Sequence, residues 1–406
     1  MADKILMLIL DGIGDRPVKE LDRKTPLEKA KTPNLDEFAE KGVNGIMDTI
    51  APGVIPGSDT GHLALLGYDP YEVYTGRGPF EAAGIGLEVE PGQVAFRCNF
   101  STIEDGKLTD RRAGRIKEGT GGLAEAVNDI DLEVDFHFQE AVEHRGVLIL
   151  KGEGLEAEVT DVDPHETDVG YHPAEPIVDN KENRRTAEIM NEFTKKTIEV
   201  LKDHPINKKR ENSGEPPANI ILSRGAGKVP KMEPLLENKG ISGAAIAGIP
   251  LVKGVCRLAG MDVIGIEGAT GGLDTDIDAI MKGIKSKIQE YDFILANIKG
   301  FDLLGHDGLY DEKIKFIEKL DENLEQLKEL EDIYIVITGD HSTPVTVKGH
   351  SGDPSPILIH GEEVRRDDVV KFDERSSTKG GLGRLYGKDV LNILLDLAKI
   401  GEKFGA

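Results

Sequence analysis

Residues 4–12 read KILMLILDG, an apolar run that ends abruptly at Asp11, and residues 332–341 read DIYIVITGDH, which repeats the pattern into Asp340 and His341. Continuous apolar runs of this length, without polar alternation, mark strands buried on both faces, as in parallel sheets. Open parallel sheets carry their chemistry just beyond the carboxyl ends of the strands. These two segments therefore predict an α/β core whose acidic and imidazole groups gather at strand ends.

Working outward, the pattern predicts a helix over Thr32 to Glu40 and a Gly/Pro-rich loop over Pro52 to Gly57. A second helix begins near Asp59, with Ser58 at its start. From 73 to 230 the texture changes to short strands such as Val94 to Phe100 and Gly146 to Leu150, rich in Arg and His and interrupted by Gly and Pro. This reads as a smaller inserted α+β domain, flanked by a discontinuous core of 1–72 and 231–406. A chain of 406 residues also favours two domains. Within the insert, NKKRENSGEPPAN (207–219) reads as a polar surface loop. After it, helix and strand alternate again: a helix to Lys239, a strand Ala244 to Ala247, a helix Thr275 to Glu290 and a strand Phe293 to Ala296. A helix from Asp311 to Leu330 places Ile314, Ile317, Leu320, Leu324 and Leu327 on one face.

Composition removes several function classes. A net charge of −24 and a pI near 4.9 repel nucleic acid and anionic lipid, so no polyanion or membrane partner is expected. The 38% hydrophobic content supports a sizeable core, and no apolar stretch is long enough to span a bilayer. The N-terminal run lacks a cleavable small-residue site and reads as the first strand rather than a secretory signal, which points to the cytoplasm. With Cys98 and Cys256 as its only cysteines, the chain has neither a disulfide framework nor a thiolate metal knuckle. The sequence leaves the oligomeric state open.

The candidate site comprises Asp11, Ser58, Asp302, His306, Asp340, His341 and His350. In KGFDLLGHDG, Asp302 and His306 are four apart, so one helical turn aims both at one ion. Asp340 and His341, just past a strand end, can serve two neighbouring ions. A mixed carboxylate and imidazole set suits manganese first, with zinc, cobalt or magnesium as alternatives. Three carboxylates and a Ser58 alkoxide carry four negative charges, which two divalent ions balance. An incoming phosphate dianion then needs further cations, for which Arg111, Arg112, Arg115, Arg145, Arg224 and Lys253 are candidates. In TDVDPHE, Asp163 and His165 could contact substrate or exchange protons, although a Pro-bearing turn accounts for them nearly as well. His62 reads as a structural helix residue. GATGGLD lacks the Lys-Ser/Thr ending of a phosphate loop. Singly, each residue has an ordinary explanation as a cap, a turn or a core histidine; together they define a two-metal phosphoryl-transfer site.

LILDGIGDRP, PGSDTGHLALLGYDPYEVYTGRGPFEA, KGFDLLGHDG, ITGDHSTP and GHSGDPSP, taken in this order, span nearly the whole chain. Together they resemble the archaeal type of 2,3-bisphosphoglycerate-independent phosphoglycerate mutase, in the alkaline phosphatase superfamily. That resemblance implies an alkaline-phosphatase-like, mostly parallel sheet and interconversion of 3- and 2-phosphoglycerate in glycolysis and gluconeogenesis, with no 2,3-bisphosphoglycerate requirement. It implies Ser58 as the phosphorylated nucleophile, Asp11, Asp340 and His341 joining Ser58 around one metal, and Asp302, His306 and His350 around the other. It further implies an insert that closes over substrate, with Arg224 and Lys253 binding its phosphate or carboxylate. A metal-dependent phosphomonoesterase, or a mutase of another sugar phosphate, is the alternative on the same core.

Overall fold

The structure is a computed structural model that describes residues 4–401, 403 and 405. It divides into two compact units, Met1–Val73 with Met232–Ala406, and Tyr74–Lys231. Its strands, in chain order, are β1 Lys4–Leu10, β2 Val43–Asp48, β3 Val94–Glu104, β4 Lys107–Asp110, β5 Asp135–Glu140, β6 Arg145–Lys151, β7 Ile220–Gly227, β8 Gly243–Ile246, β9 Asp262–Ile264, β10 Phe293–Ile298, β11 Ile333–Thr338, β12 Ser355–His360 and β13 Gly383–Tyr386.

The first unit holds an eight-stranded sheet in the order β13-β2-β12-β11-β1-β10-β8-β9. It is mostly parallel; β12 alone runs against its neighbours β11 and β2. The two apolar runs that open the sequence reading are its centre, β1 lying between β10 and β11. Leu6, Leu8 and Leu10 of β1 join a core with the helices Pro33–Glu40, Ile277–Lys287 and Tyr310–Leu324. Ile5, Met7 and Ile9, equally buried, point to the opposite face, so β1 has no solvated side and no alternation.

The second unit is built on an antiparallel sheet, β4-β3-β6-β5, with β7 also paired to β3. Its core gathers Phe96, Phe100, Phe138 and Phe193 with apolar residues of the helices Thr120–Asn128 and Lys181–Leu201.

Several local expectations change. The segment 207–219 is not a loop throughout, because a helix covers Pro205–Asn212. Pro205 occupies its first turn, His204 caps it, and the fully buried Asn207 side chain bonds the backbone of Leu201 and Ala218. Before Gly240 there is only a 3₁₀ turn, Glu237–Lys239. The helix expected to reach Leu330 ends at Leu324 and tightens into a 3₁₀ turn. On it, Phe316 takes the core position expected of Ile314, which packs instead in a satellite cluster with Val18, Leu21 and Val345.

Candidate metal and phosphoryl-transfer site

Three adjacent parallel strands, β11, β1 and β10, release their chains at the same edge of the first unit's sheet. Asp11 follows β1 directly. Lys299 and the helix Gly300–Asp307, carrying Asp302 and His306, follow β10; Asp340 and His341 follow β11. The helix Ser58–Leu65 begins at the nucleophile candidate, with Gly57 as its cap and Ser58 only 6% exposed. Its close approach depends on Gly61, where a Cβ would fall 2.7 Å from the Asp340 carbonyl oxygen. Gly12, at φ +73°, turns the chain after Asp11 in a space where a Cβ would meet Asp302 Cα at 2.8 Å.

Hydrogen-bond geometry assigns the imidazole tautomers. Thr343 Oγ1 donates its one proton to Asp302 Oδ1 (2.8 Å), so it accepts from His341 Nδ1–H at 3.0 Å. His350 Nδ1–H donates to the Pro56 carbonyl (2.8 Å), and His306 Nδ1–H to that of Lys348 (3.2 Å). In the neutral ring each Nε2 is then the lone pair, and each points at carboxylate oxygen. His341 Nε2 lies 3.5 Å from Asp11 Oδ1 and 3.4 Å from Asp340 Oδ2, and 3.2 Å from Ser58 Oγ. His350 and His306 approach Asp302 Oδ1 at 3.3 and 3.4 Å. Lone pairs directed at anionic oxygens repel unless a cation sits between them, and orienting a ligand through its other nitrogen is what metal sites require. Burial, then the neighbouring His350, holds His341 well below its ordinary pKa, so it stays neutral. Asp302 raises that of His306, where a proton and a metal ion compete.

Two donor groups result, Asp11 with Asp340 and His341, and Asp302 with His341 and His350. His341 belongs to both, and His306 adds its Nε2 beside the second. Asp340 Oδ2 is buried without a hydrogen-bond donor. Burial, then the Asp11 charge, raises the Asp340 pKa well above the carboxylate range, a strain that a divalent cation relieves. The donors thus fit divalent metal. His62 is satisfied at both nitrogens, by the Ser58 carbonyl (2.7 Å) and the Asn297 amide (3.1 Å), and so supports the helix start.

Other residues here escaped the sequence reading. Lys299 Nζ reaches Asp11 Oδ1 at 3.1 Å and Asp302 Oδ2 at 2.6 Å. Burial disfavours its charge, but Asp11 and Asp302 outweigh that and hold its pKa above the usual lysine value. Lys313, fully buried, bonds the carbonyls of Gly12 and Thr343 as well as Asp15, tying together the loops that carry Asp11 and His341. No local signal singled either out, since Lys299 lies past the expected strand end and Lys313 sits in the charged run DEKIK.

In the second unit, strand register assembles guanidinium groups. Arg97 on β3 lies opposite Arg224 on β7, and Arg145 on β6 opposite Asn99, two residues along the same face. Like charges facing across a sheet destabilise it, and the buried Glu81 offsets them only partly, at 2.9 Å from Arg77 and 3.5 Å from Arg97. Arg97, Arg145 and Arg224 each keep a buried Nε without a partner. Arg97 and Arg77 were not singled out in the sequence, although an arginine inside the apolar run VAFRCNF was a visible signal. Asp163 is buried and accepts from Nε and Nη2 of Arg111, each at 2.7 Å, so it orients a guanidinium. His165 is largely exposed and lies 3.2 Å from both Arg111 and Arg224. Arg112 and Arg115 are exposed. Lys253, in the first unit, rides on the helix Pro250–Leu258, which packs against Ser58–Leu65.

A mostly parallel sheet with a serine at a helix start and a shared carboxylate-imidazole cluster at its strand ends defines a class, the α/β proteins whose strand-end site is fit to hold divalent metal beside a hydroxyl. The sequence profile of 2,3-bisphosphoglycerate-independent phosphoglycerate mutase matches residues 39–207. A relative bearing that name, from Methanosphaera stadtmanae, is 53% identical across 99% of this chain and 100% of its own length. Among solved structures, a Pyrococcus horikoshii protein is similar with a TM-score of 0.88 at 40% identity, covering 100% of both chains. A cofactor-independent phosphoglycerate mutase from Thermoplasma acidophilum gives 0.71 at 38%, over 98% of this chain and 100% of that one. The chain belongs to the 2,3-bisphosphoglycerate-independent phosphoglycerate mutases, which are isomerases.

Proposed function

We propose that the isomerisation proceeds through a phosphorylated Ser58, at a centre of two divalent ions, manganese first. One ion would be held by Asp11, Ser58, Asp340 and His341 and the other by Asp302, His306 and His350, with His341 near enough to serve both. Ions held there would supply Lewis acidity, lowering the pKa of the serine hydroxyl and neutralising charge on the phosphoryl oxygens. Ser58 loses its hydroxyl proton and its Oγ bonds to phosphorus as the bond from phosphorus to the C3 oxygen of 3-phosphoglycerate breaks; that oxygen leaves as a hydroxyl after gaining a proton. The retained glycerate then presents its C2 hydroxyl, which gives up its proton and takes the phosphoryl group from Ser58. The start of the helix Ser58–Leu65 adds positive potential at the attacking oxygen.

Arg97, Arg145 and Arg224 would bind the carboxylate and phosphate of the glycerate, with Arg112, Arg115 and Lys253 as further cationic contacts and Asp163 and His165 holding Arg111 and Arg224. The absence of a water-derived product in a mutase requires that water be kept from the phosphoserine. A small central metabolite as substrate supports a cytoplasmic location.

The observation that carries this reading is Ser58 Oγ beside His341 Nε2, whose lone pair faces two carboxylates. The test incubates the metal-loaded protein with 3-phosphoglycerate, following both 2-phosphoglycerate and inorganic phosphate, with mass spectrometry of the quenched protein. Isomer equilibration without phosphate release and an 80 Da adduct on the Ser58 peptide are expected, both lost in Ser58→Ala (about 80 Da is the mass of one phosphoryl unit on the serine oxygen). Phosphate release matching substrate loss would instead assign a phosphomonoesterase.

A further inference from the structure

Lys299 is poorly explained by metal binding alone. Its side chain is 16% exposed and its ammonium contacts one carboxylate from each donor group, Asp11 at 3.1 Å and Asp302 at 2.6 Å. A centre selected only to hold two dications would exclude an ammonium at this spot, since it competes for the same oxygens and repels the ions. Nor does the local fold require a cation there. The strand β10 and the helix Gly300–Asp307 are closed by their own backbone bonds, and Lys313 already ties the neighbouring loops together.

The charge count shows what Lys299 contributes. Asp11, Asp302, Asp340 and a Ser58 alkoxide carry four negative charges, and two divalent ions bring that sum to zero. With Lys299 counted, the loaded centre carries one net positive charge before any substrate arrives. A phosphate monoester dianion is attracted to such a centre, whereas a neutral one offers it much less. Without ions, the same ammonium neutralises part of a cluster of three buried carboxylates that would otherwise repel one another.

We propose that Lys299 is a built-in third cation of this centre: it trades metal affinity for a positive charge that receives the phosphoryl group, and it holds the carboxylates together when the ions are absent. The inference rests on the two-ion reading above. It assigns Lys299 a charge-setting role distinct from that of the ligands, with a sign opposite to structural damage, because a merely structural lysine would weaken metal binding when removed.

The test compares wild type with Lys299→Met, Lys299→Gln and Lys299→Arg. Each is stripped with chelator, melted, and titrated with Mn²⁺ by calorimetry, and each is then assayed with 3-phosphoglycerate. The two neutral variants should bind Mn²⁺ at least ten-fold more tightly than wild type, while their stripped forms melt at lower temperature and their kcat falls at least ten-fold. Gln, which still donates hydrogen bonds, should recover part of the stripped stability but none of the activity; Arg should keep metal affinity within a few-fold of wild type. Neutral variants that fold only when Mn²⁺ is present throughout purification would also support the inference. Unchanged or weaker Mn²⁺ binding in both neutral variants, or failure to fold even with Mn²⁺, would overturn it. Wild type binding no Mn²⁺ at all would defeat the two-ion reading instead, so the two failures are distinct.

Discussion

Thr343 shows how much of this site depends on groups that touch no metal. Its hydroxyl accepts from His341 Nδ1 and donates to Asp302 Oδ1, fixing the tautomer of one proposed ligand and the rotamer of another. Replacing it with Val keeps the shape and removes both bonds. The expected result is a loss of metal affinity of about 10–100-fold, the usual cost of removing an outer-shell partner, with Thr343→Ser restoring most of it; Mn²⁺ titration of the stripped proteins measures this. His144 gives a different residue-scale expectation. Burial, then the charges of Arg145, Arg112, Arg97 and Arg115, pushes its pKa down to about 3 from an ordinary 6.5, and its buried Nδ1 has no hydrogen-bond partner. The unfolded chain takes up a proton below pH 6.5 that the folded imidazole refuses until about 3, so stability contributed by neutral His144 is present above 6.5 and lost as pH falls. Between pH 6.5 and 5 this amounts to about 2 kcal/mol. Denaturant titrations should show wild type losing stability over that interval and His144→Gln losing less.

At the scale of elements, the helix Ser58–Leu65 seats against the chain leaving β11 because Gly61 has no side chain. Gly61→Ala would bring a methyl to 2.7 Å from the Asp340 carbonyl oxygen, which is backbone and cannot rotate away. The helix must shift, and Ser58 with it. Activity should fall at least 10²-fold, as small displacements of reacting groups do, while the melting temperature changes by only a few degrees; an assay paired with a thermal melt tests the contrast. The same scale explains which elements were legible. β1 and β11 were plain from their unbroken apolar runs. The helix Pro205–Asn212 was not, because its polar composition resembles a loop and its hold on the fold comes from one buried asparagine and from Arg210, which donates to the distant Ala113 carbonyl. The arginine cluster was visible only as scattered basic residues, since the register of β3 with β6 and β7 alone places Arg97, Arg145 and Arg224 on a common face.

For the whole molecule, the buried carboxylates, the bare Nε2 lone pairs and the ammonium between them make metal binding a stability term of the first unit. Ligand binding to the folded state alone adds about 2.7 kcal/mol at a free concentration one hundred times Kd. Exhaustive chelation should therefore lower the melting temperature by several degrees and abolish mutase activity, and Mn²⁺ should restore both; a melt unchanged by chelator would contradict a metal centre in this fold. No helix among the described residues is long and apolar enough to cross a membrane. The sequence by itself determined the parallel core, the position of the chemistry at strand ends and the seven metal and nucleophile candidates, because apolar continuity and residue chemistry are local properties of the chain. Only the tertiary structure decided that His341 faces both donor groups, that Lys299 stands between Asp11 and Asp302, and that three arginines share one sheet face. Those facts come from strand order and register, which bring together residues hundreds of positions apart and which no local pattern encodes.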